Sequence, residues 1–336
     1  MKSITAILVL LAGCAGPSAS HAESAPFPGC AAALAYSNEH DGLALLVLEN
    51  GEVRCRSKDV ATPQELWSGT KSLLGLMAAA AVQDGLLALD EAASDTLAEW
   101  RSDPVKARIT IRELLAMTGG QASTVGRPAG YLDSLKAPLT AAPGTKFQYG
   151  PAPMQIFGEI MRRKLAARSL DSDPRQYIER RILDPIGVKI GDWRSGPDGL
   201  PLMPQGLALS SQEWAKIGEF VRRGGVQEGK QLIDAAALAE LFRGSAANPA
   251  YGLTWWLPQA TAATDPVTRS TDIAAHAADL PADMVVAAGA GDQRLYVIPS
   301  LRLTIVRQAR LNILGLAAGK KSGWSDAHFL ELLLPK

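Results

Sequence analysis

Ser68 and Lys71 place a hydroxyl and an amine three residues apart, at the head of a run that is apolar on every side. On a helix that spacing puts the two on one face, a turn apart. An ammonium at the start of a buried helix loses its hydration. Desolvation lowers its pKa, and a neutral amine can then take a proton from the neighbouring hydroxyl. The unpaired N–H groups of a first turn favour negative charge beside Ser68. The chemistry is that of a serine nucleophile activated by lysine. Ser-x-x-Lys is short, and composition alone supplies roughly one match in a chain of this length. The competing reading of the spacing makes Ser68 a plain N-cap and lets Lys71 snorkel to solvent.

Other catalytic schemes lack their residues. The four histidines are His21, His40, His276 and His328, and no serine lies in a G-x-S-x-G elbow. No H-E-x-x-H or C-x-x-C offers a metal site, so no metal is expected. Gly69-Thr70-Lys71-Ser72 has the wrong glycine spacing for a phosphate loop, no G-x-G-x-x-G occurs, and no cofactor is implied.

Residues 72–82, rich in Leu, Met and Ala and free of proline, predict a buried helix. Before it, 30–36 predicts a short alanine-rich helix, and 43–48 and 53–56 predict two strands joined by Asn50-Gly51 in a two-residue hairpin. After it, 91–100 is a short segment, and 109–117 an amphipathic helix ended by Gly119-Gly120. Further helices are expected at 155–165, 174–183, 211–223 (capped by Ser210 or Ser211) and 234–242. Strands return only at 284–288, 295–298 and 303–308, and a helix over 325–334 closes the chain. Strands at both ends and helices between predict an α+β fold. One antiparallel sheet is built from both chain ends and flanked by helices, with a mainly helical lobe inserted.

The chain has 336 residues, 47% of them hydrophobic, enough for a substantial core. Lys+Arg and Asp+Glu are both 34, and no basic stripe points to nucleic acid. Lys2 followed by the apolar run 4–11 reads as an export signal. Leu11-Ala12-Gly13-Cys14 resembles the lipobox of bacterial lipoproteins, with Cys14 as the lipid-modified residue and the membrane engaged only through that anchor. The alternative is cleavage near Ala22, which leaves a soluble protein. Either way the protein is expected outside the cytoplasm, in a bacterial periplasm. The remaining cysteines, Cys30 and Cys55, are an even count in an oxidising compartment and are expected to form a disulfide. Residues 1–22 are thus the signal segment and start of a tether, 23–29 the tether, and 30–336 a single domain. Within it, 30–66 and 280–336 form the sheet part and 67–279 the helical part.

Several stretches in order carry a family resemblance. Ser68-Gly69-Thr70-Lys71 resembles the first motif of the penicillin-binding-protein and class C β-lactamase superfamily of serine hydrolases. Ile109-Thr110-Ile111-Arg112-Glu113-Leu114-Leu115-Ala116-Met117-Thr118-Gly119-Gly120 is similar to the segment that follows it there. Pro143-Gly144-Thr145-Lys146-Phe147-Gln148-Tyr149 resembles the lead-in to the second motif, and Asp184-Pro185-Ile186-Gly187 a turn of the family. The stretch from Gly289 to Pro299 resembles the strand and glycine turn of the third motif. The resemblance implies that Ser68 Oγ attacks a carbonyl with Lys71 as base. Tyr149 would relay the proton to the leaving group and later activate water, serving as a base only if a neighbouring ammonium such as Lys71 lowers its phenol. It implies an oxyanion hole from the backbone N–H of Ser68 and of Ala290.

Two departures bear on substrate. The second motif reads Tyr149-Gly150-Pro151, with proline where Asn or Ser is usual, and the third reads Ala287-Ala288-Gly289, with alanine where Lys or His is usual. A site without those groups cannot offset the desolvation of a β-lactam carboxylate by pairing it. The expectation is therefore an esterase- or amidase-like enzyme acting on small ester or amide substrates, with weak or no β-lactamase activity. Pro151, Ala287, Ala288, Gly289, Gln293 and Trp256 are expected around the pocket, although Trp255-Trp256 also reads as core and Gln293-Arg294 as solvated loop. The alternative function is a catalytically silent envelope module that binds a partner in the old cleft.

Overall fold

In the computed structural model, residues 27–122, 126–171, 173–319 and 322–334 are described. The expected signal segment, Cys14 and most of the expected tether lie outside them. Ten strands occur among these residues: β1 (Gly42–Glu49), β2 (Glu52–Arg56), β3 (Gln64–Glu65), β4 (Asp192–Trp193), β5 (Leu207–Leu209), β6 (Val226–Gln227), β7 (Lys230–Gln231), β8 (Val285–Gly289), β9 (Gln293–Ile298) and β10 (Leu303–Ala309).

The main sheet has the order β2-β1-β10-β9-β8, all antiparallel, so the first strand pairs with the last. The α+β fold with a sheet from both chain ends is the one expected. Asn50 (φ 53°) and Gly51 (φ 85°) make the two-residue turn between Glu49 and Glu52, where both central positions need positive φ. The two faces of β10 alternate with the pleat. Thr304 and Gln308 bond Glu219 and Ser211 of the helix Ser211–Arg222, whereas Arg307 bonds Ser37 of the helix Cys30–Glu39. Each face of the sheet is thus covered by helix, and β9 and β10 are buried along their whole length, and β1 from Ala44 to Leu48, rather than at alternate residues.

Cys30, which opens the first helix, and Cys55 on β2 are joined by a disulfide with their Cα atoms 5.6 Å apart. Packing begins before residue 30, the expected start of the domain. Phe27 is buried and its N–H bonds the carbonyl of Arg54, so the chain is already packed there. One large aromatic in a stretch otherwise poor in apolar bulk found a place in the core.

The middle of the chain is not strand-free. β3, β5 and β4 form a small sheet beside the turn that carries Ser68, and β6 and β7 a hairpin. Two or three residues are too few to display a period-two pattern. The expected helix over 109–117 shortens to Ile111–Leu115, started by a capping box between Thr110 and Glu113 and ended by Met117 at φ 59°. Residues 91–100 contribute two 3-10 turns, Ala93–Asp95 and Ala98–Trp100. The helix expected over 174–183 is α-helical over Pro174–Ile178 and continues as a π turn over Glu179–Leu183. Ser210, not Ser211, caps its helix.

Candidate active site

The central helix runs Lys71–Gln83, and from Lys71 through Ala81 every residue is buried. Ser68 is not its N-cap. It lies in a 3-10 turn, Trp67–Thr70, that precedes the helix and continues into it. Trp67 enters this turn at φ 49°, a left-handed conformation that costs an L-residue energy and is tolerated where surrounding packing holds it. The turn sets Ser68 half-exposed at the mouth of the site while Lys71, one turn on, goes inside with 3% of its surface exposed. The snorkelling reading of Lys71 therefore fails.

Lys71 Nζ lies 2.8 Å from Ser68 Oγ and donates to the Pro204 carbonyl at 2.9 Å. Among the described residues no salt bridge to Lys71 is found. Burial without a countercharge lowers its pKa from 10.5 to about 7. When the amine is neutral, the Ser68 hydroxyl can donate to its lone pair while one N–H stays on Pro204. The Pro204 carbonyl is a component no sequence signal could have found, since it is a backbone atom 133 residues away.

Tyr149 arrives on the segment just before the helix Ala152–Ala167 and is hydrogen-bonded to Ser68. Lys71 Nζ sits 4.9 Å from the centroid of its ring. The three groups expected to act together are in contact. One expectation about them is corrected. Burial pushes the Tyr149 phenol well above its usual 10, the Ser68 hydrogen bond opposes this, Asp265 adds to it, and Arg294 lowers it weakly. Lys71 does not offset this rise. Tyr149 is therefore a protonated donor at neutral pH.

The ring of Tyr149 is stacked on Trp256 (centroids 5.8 Å, 26° between planes) and edge-on to Tyr251 at 6.0 Å. Trp256 thus belongs to the site, whereas Trp255 is fully buried against Phe242. Tyr251 and Phe147, packed in the same aromatic group, were missed, because single aromatics in a loop carry no periodicity.

Trp256 also positions the third-motif strand. Its backbone exchanges two hydrogen bonds with Val286, each 2.9 Å, on the edge of β8 away from β9. Backbone groups of alternate strand residues point the same way, so the outward edge seen at Val286 recurs at Ala288 and, as the strand ends, at Ala290. That edge meets the Ser68 turn at Gly289. A Cβ on Gly289 would fall 2.0 Å from the Leu66 carbonyl and 3.0 Å from the Gly69 nitrogen. Only glycine lets the two backbones approach this closely.

The remaining pocket positions divide. Pro151 is half-buried as the N-cap of the helix Ala152–Ala167, where it accepts bonds from Met154 and Gln155 but has no N–H to offer. Ala287 is fully buried and Ala288 nearly so, and neither carries a polar group toward the site. Gln293 is misplaced by the expectation. Its amide donates to the carbonyls of Gly291 and Ala309 and accepts from the N–H of Ala309, tying β9 to the end of β10 inside the sheet. Arg294 is likewise buried and paired with Asp326, not solvated. Among the described residues no group of His, Cys, Asp or Glu could hold a metal ion, and no helix is long and apolar enough to cross a membrane.

A family model described as Beta-lactamase matches residues 29–312. A search of curated proteins finds no match. Among solved structures the chain is similar to a beta-lactamase from Mycobacterium bovis (TM-score 0.63, 19% identity, covering 90% of this chain and 100% of that one). It is also similar to a penicillin-binding protein homolog from Caulobacter crescentus (TM-score 0.65, 15% identity, 92% and 97% covered). A third is EstCE1, a hydrolase with promiscuous acyltransferase activity (TM-score 0.66, 15% identity, 91% and 96% covered). At these identities the likeness is one of fold, and it runs nearly end to end.

Proposed function

The chain belongs to the beta-lactamase family of hydrolases, and from that premise we propose that it is a serine hydrolase that cleaves small ester or amide substrates through an acyl-enzyme on Ser68. The observation that carries this reading is the 2.8 Å contact between Ser68 Oγ and a Lys71 amine that is buried and lowered to about 7. Ser68 Oγ attacks the carbonyl carbon as its proton passes to the neutral Lys71 amine, which stays anchored on Pro204. The carbonyl oxygen, now an oxyanion, is received by the backbone N–H groups of Ser68 and Ala290. Lys71 returns the proton through the Tyr149 hydroxyl to the leaving oxygen or nitrogen, and the bond to that atom breaks. Water then attacks the acyl-enzyme with the same groups taking and giving its proton, which releases the acid and restores Ser68.

Pro151 and Ala287 support a neutral substrate. Neither offers a donor or charge for a carboxylate, so β-lactam turnover is expected to be weak. The disulfide between Cys30 and Cys55 supports export to an oxidising compartment, where the Cys14 lipobox would tether the protein to a membrane as a lipoprotein.

The test is a panel of p-nitrophenyl esters, amides and a chromogenic β-lactam, with a fluorophosphonate label and Ser68→Ala as control. Ester turnover and labelling that Ser68→Ala abolishes are the expected result. A folded protein that neither turns over any ester nor takes the label refutes the reading and leaves a binding module of the same fold.

A further inference from the structure

The last residue of β8, Gly289, and the next, Ala290, share one peptide unit. Among the described residues no peptide is cis, so the Gly289 carbonyl and the Ala290 N–H point in opposite directions. Whatever holds the carbonyl therefore aims the N–H. Arg294 holds it. Its Nη1 donates to Gly289 O at 3.2 Å and to Gln293 O at 3.0 Å. The guanidinium is itself locked on Asp326, with Nε to Oδ1 at 2.7 Å and Nη2 to Oδ2 at 3.2 Å, and Nη2 also reaches Asp292 Oδ1 at 3.4 Å. Asp326 in turn accepts from the Tyr296 hydroxyl at 2.5 Å and Trp324 Nε1 at 3.1 Å. Arg307 secures the far end of the same turn, donating to Asp292 O at 2.9 Å.

A buried ion pair is weak evidence of stability, because desolvating two charges offsets most of their attraction, and an apolar pair of the same volume often serves as well. A forked, planar donor with a fixed carboxylate behind it does something an apolar pair cannot. It sets the plane of one peptide.

Resting on the acyl-enzyme reading above, we infer that Arg294, braced by Asp326, is a positioning residue for the oxyanion hole: it fixes the Gly289–Ala290 peptide so that the Ala290 N–H faces the reacting carbonyl. Arg294 touches no substrate. The helix Asp326–Leu333, at the opposite end of the chain from Ser68, thereby has a fixed connection to the catalytic centre through Asp326.

The experiment compares the full-length protein with Arg294→Lys and Asp292→Asn in steady-state hydrolysis of a p-nitrophenyl ester. Each rate is divided by the number of sites that a fluorophosphonate titrates to its end point, so that unfolded molecules drop out. Lysine keeps the charge but not the fork. Asp292→Asn weakens one contact to the guanidinium at a partly exposed turn position of φ 58°, which asparagine tolerates, and so preserves the fold. A full oxyanion donor is worth about 100- to 1,000-fold in kcat, so a misaimed one in Arg294→Lys should lower kcat per site about 10-fold or more. KM should stay within about twofold. Affinity for phenylboronic acid, which forms a tetrahedral adduct on Ser68, should fall in step with kcat, whereas a purely structural role would leave both unchanged per titrated site. Asp292→Asn should show the same pattern at about threefold or more, and is decisive if Arg294→Lys does not fold. Unchanged kcat per site and unchanged boronate affinity overturn the inference while the acyl-enzyme reading stands. Turnover that survives in Ser68→Ala removes that reading itself.

Discussion

The pH dependence of the proposed ester hydrolysis is the sharpest consequence of a buried Lys71 without a countercharge. Its fall from 10.5 to about 7 corresponds to about 5 kcal/mol in favour of the neutral amine. With the neutral amine as base, kcat/KM for a neutral ester rises tenfold per pH unit below about 7 and levels above it, so that at pH 5 it lies about 100-fold under the plateau. The Tyr149 phenol, pushed upward by burial, does not titrate in this range. Tyr149→Phe should therefore lower the plateau and leave the inflection near 7, which assigns the inflection to the amine. The assay is a pH series from 5 to 9 with an uncharged p-nitrophenyl ester, corrected for the ionisation of the product. A flat profile, or an inflection that vanishes in Tyr149→Phe, would refute the assignment of Lys71 as base. Stability follows with the opposite emphasis. Between pH 7 and 10.5 the unfolded chain holds the Lys71 proton and the folded one does not, so this residue makes stability rise with pH there.

Lys71→Met should accordingly be inactive yet more stable than the wild type near pH 7, with the difference shrinking as pH approaches 10.5. The Pro204 carbonyl, left without its donor, offsets about 1–3 kcal/mol of that gain; urea denaturation at three pH values reads it. Gly289→Ala places a methyl 2.0 Å from the Leu66 carbonyl, and β8 must move off the Ser68 turn. Ester turnover should be lost while the far strands β1 and β10 keep their amide-exchange protection; full activity in this variant would contradict the close approach. Joining Cys30 to Cys55 closes a loop over a separation of 25 residues, worth about 3.5 kcal/mol by chain entropy. Cys30→Ser with Cys55→Ser should show that loss in a thermal or urea melt, with activity per folded molecule retained.

What the sequence disclosed and what it hid have physical causes. Ser68 and Lys71 were legible because three residues is one helical turn, and the apolar run behind them leaves an amine nowhere wet to go. Asn50-Gly51 was legible because few residue pairs adopt two successive left-handed conformations. The state of Tyr149 was not, because its ionisation depends on the dryness of a space made by Trp256 and Tyr251. Gln293 and Arg294 looked like loop residues because polar side chains normally face water. Their burial rests on partners at Ala309 and Asp326, and nothing local announces such a partner. Phe27 was hidden by its neighbours, since a composition argument averages over a single anchoring ring.

The order of the main sheet has a consequence for synthesis. β1 lies beside β10, more than 250 residues later, and the edge that faces Ser68 is formed by β8. A ribosome therefore completes Ser68, Lys71 and Tyr149 when β1 has only its hairpin partner β2, long before β10 or the β8 edge exists. Such distant pairing is slow to form. A growing or prematurely released chain thus carries the proposed nucleophile without the Ala290 half of the proposed oxyanion hole, and competence is expected only once the tail has emerged.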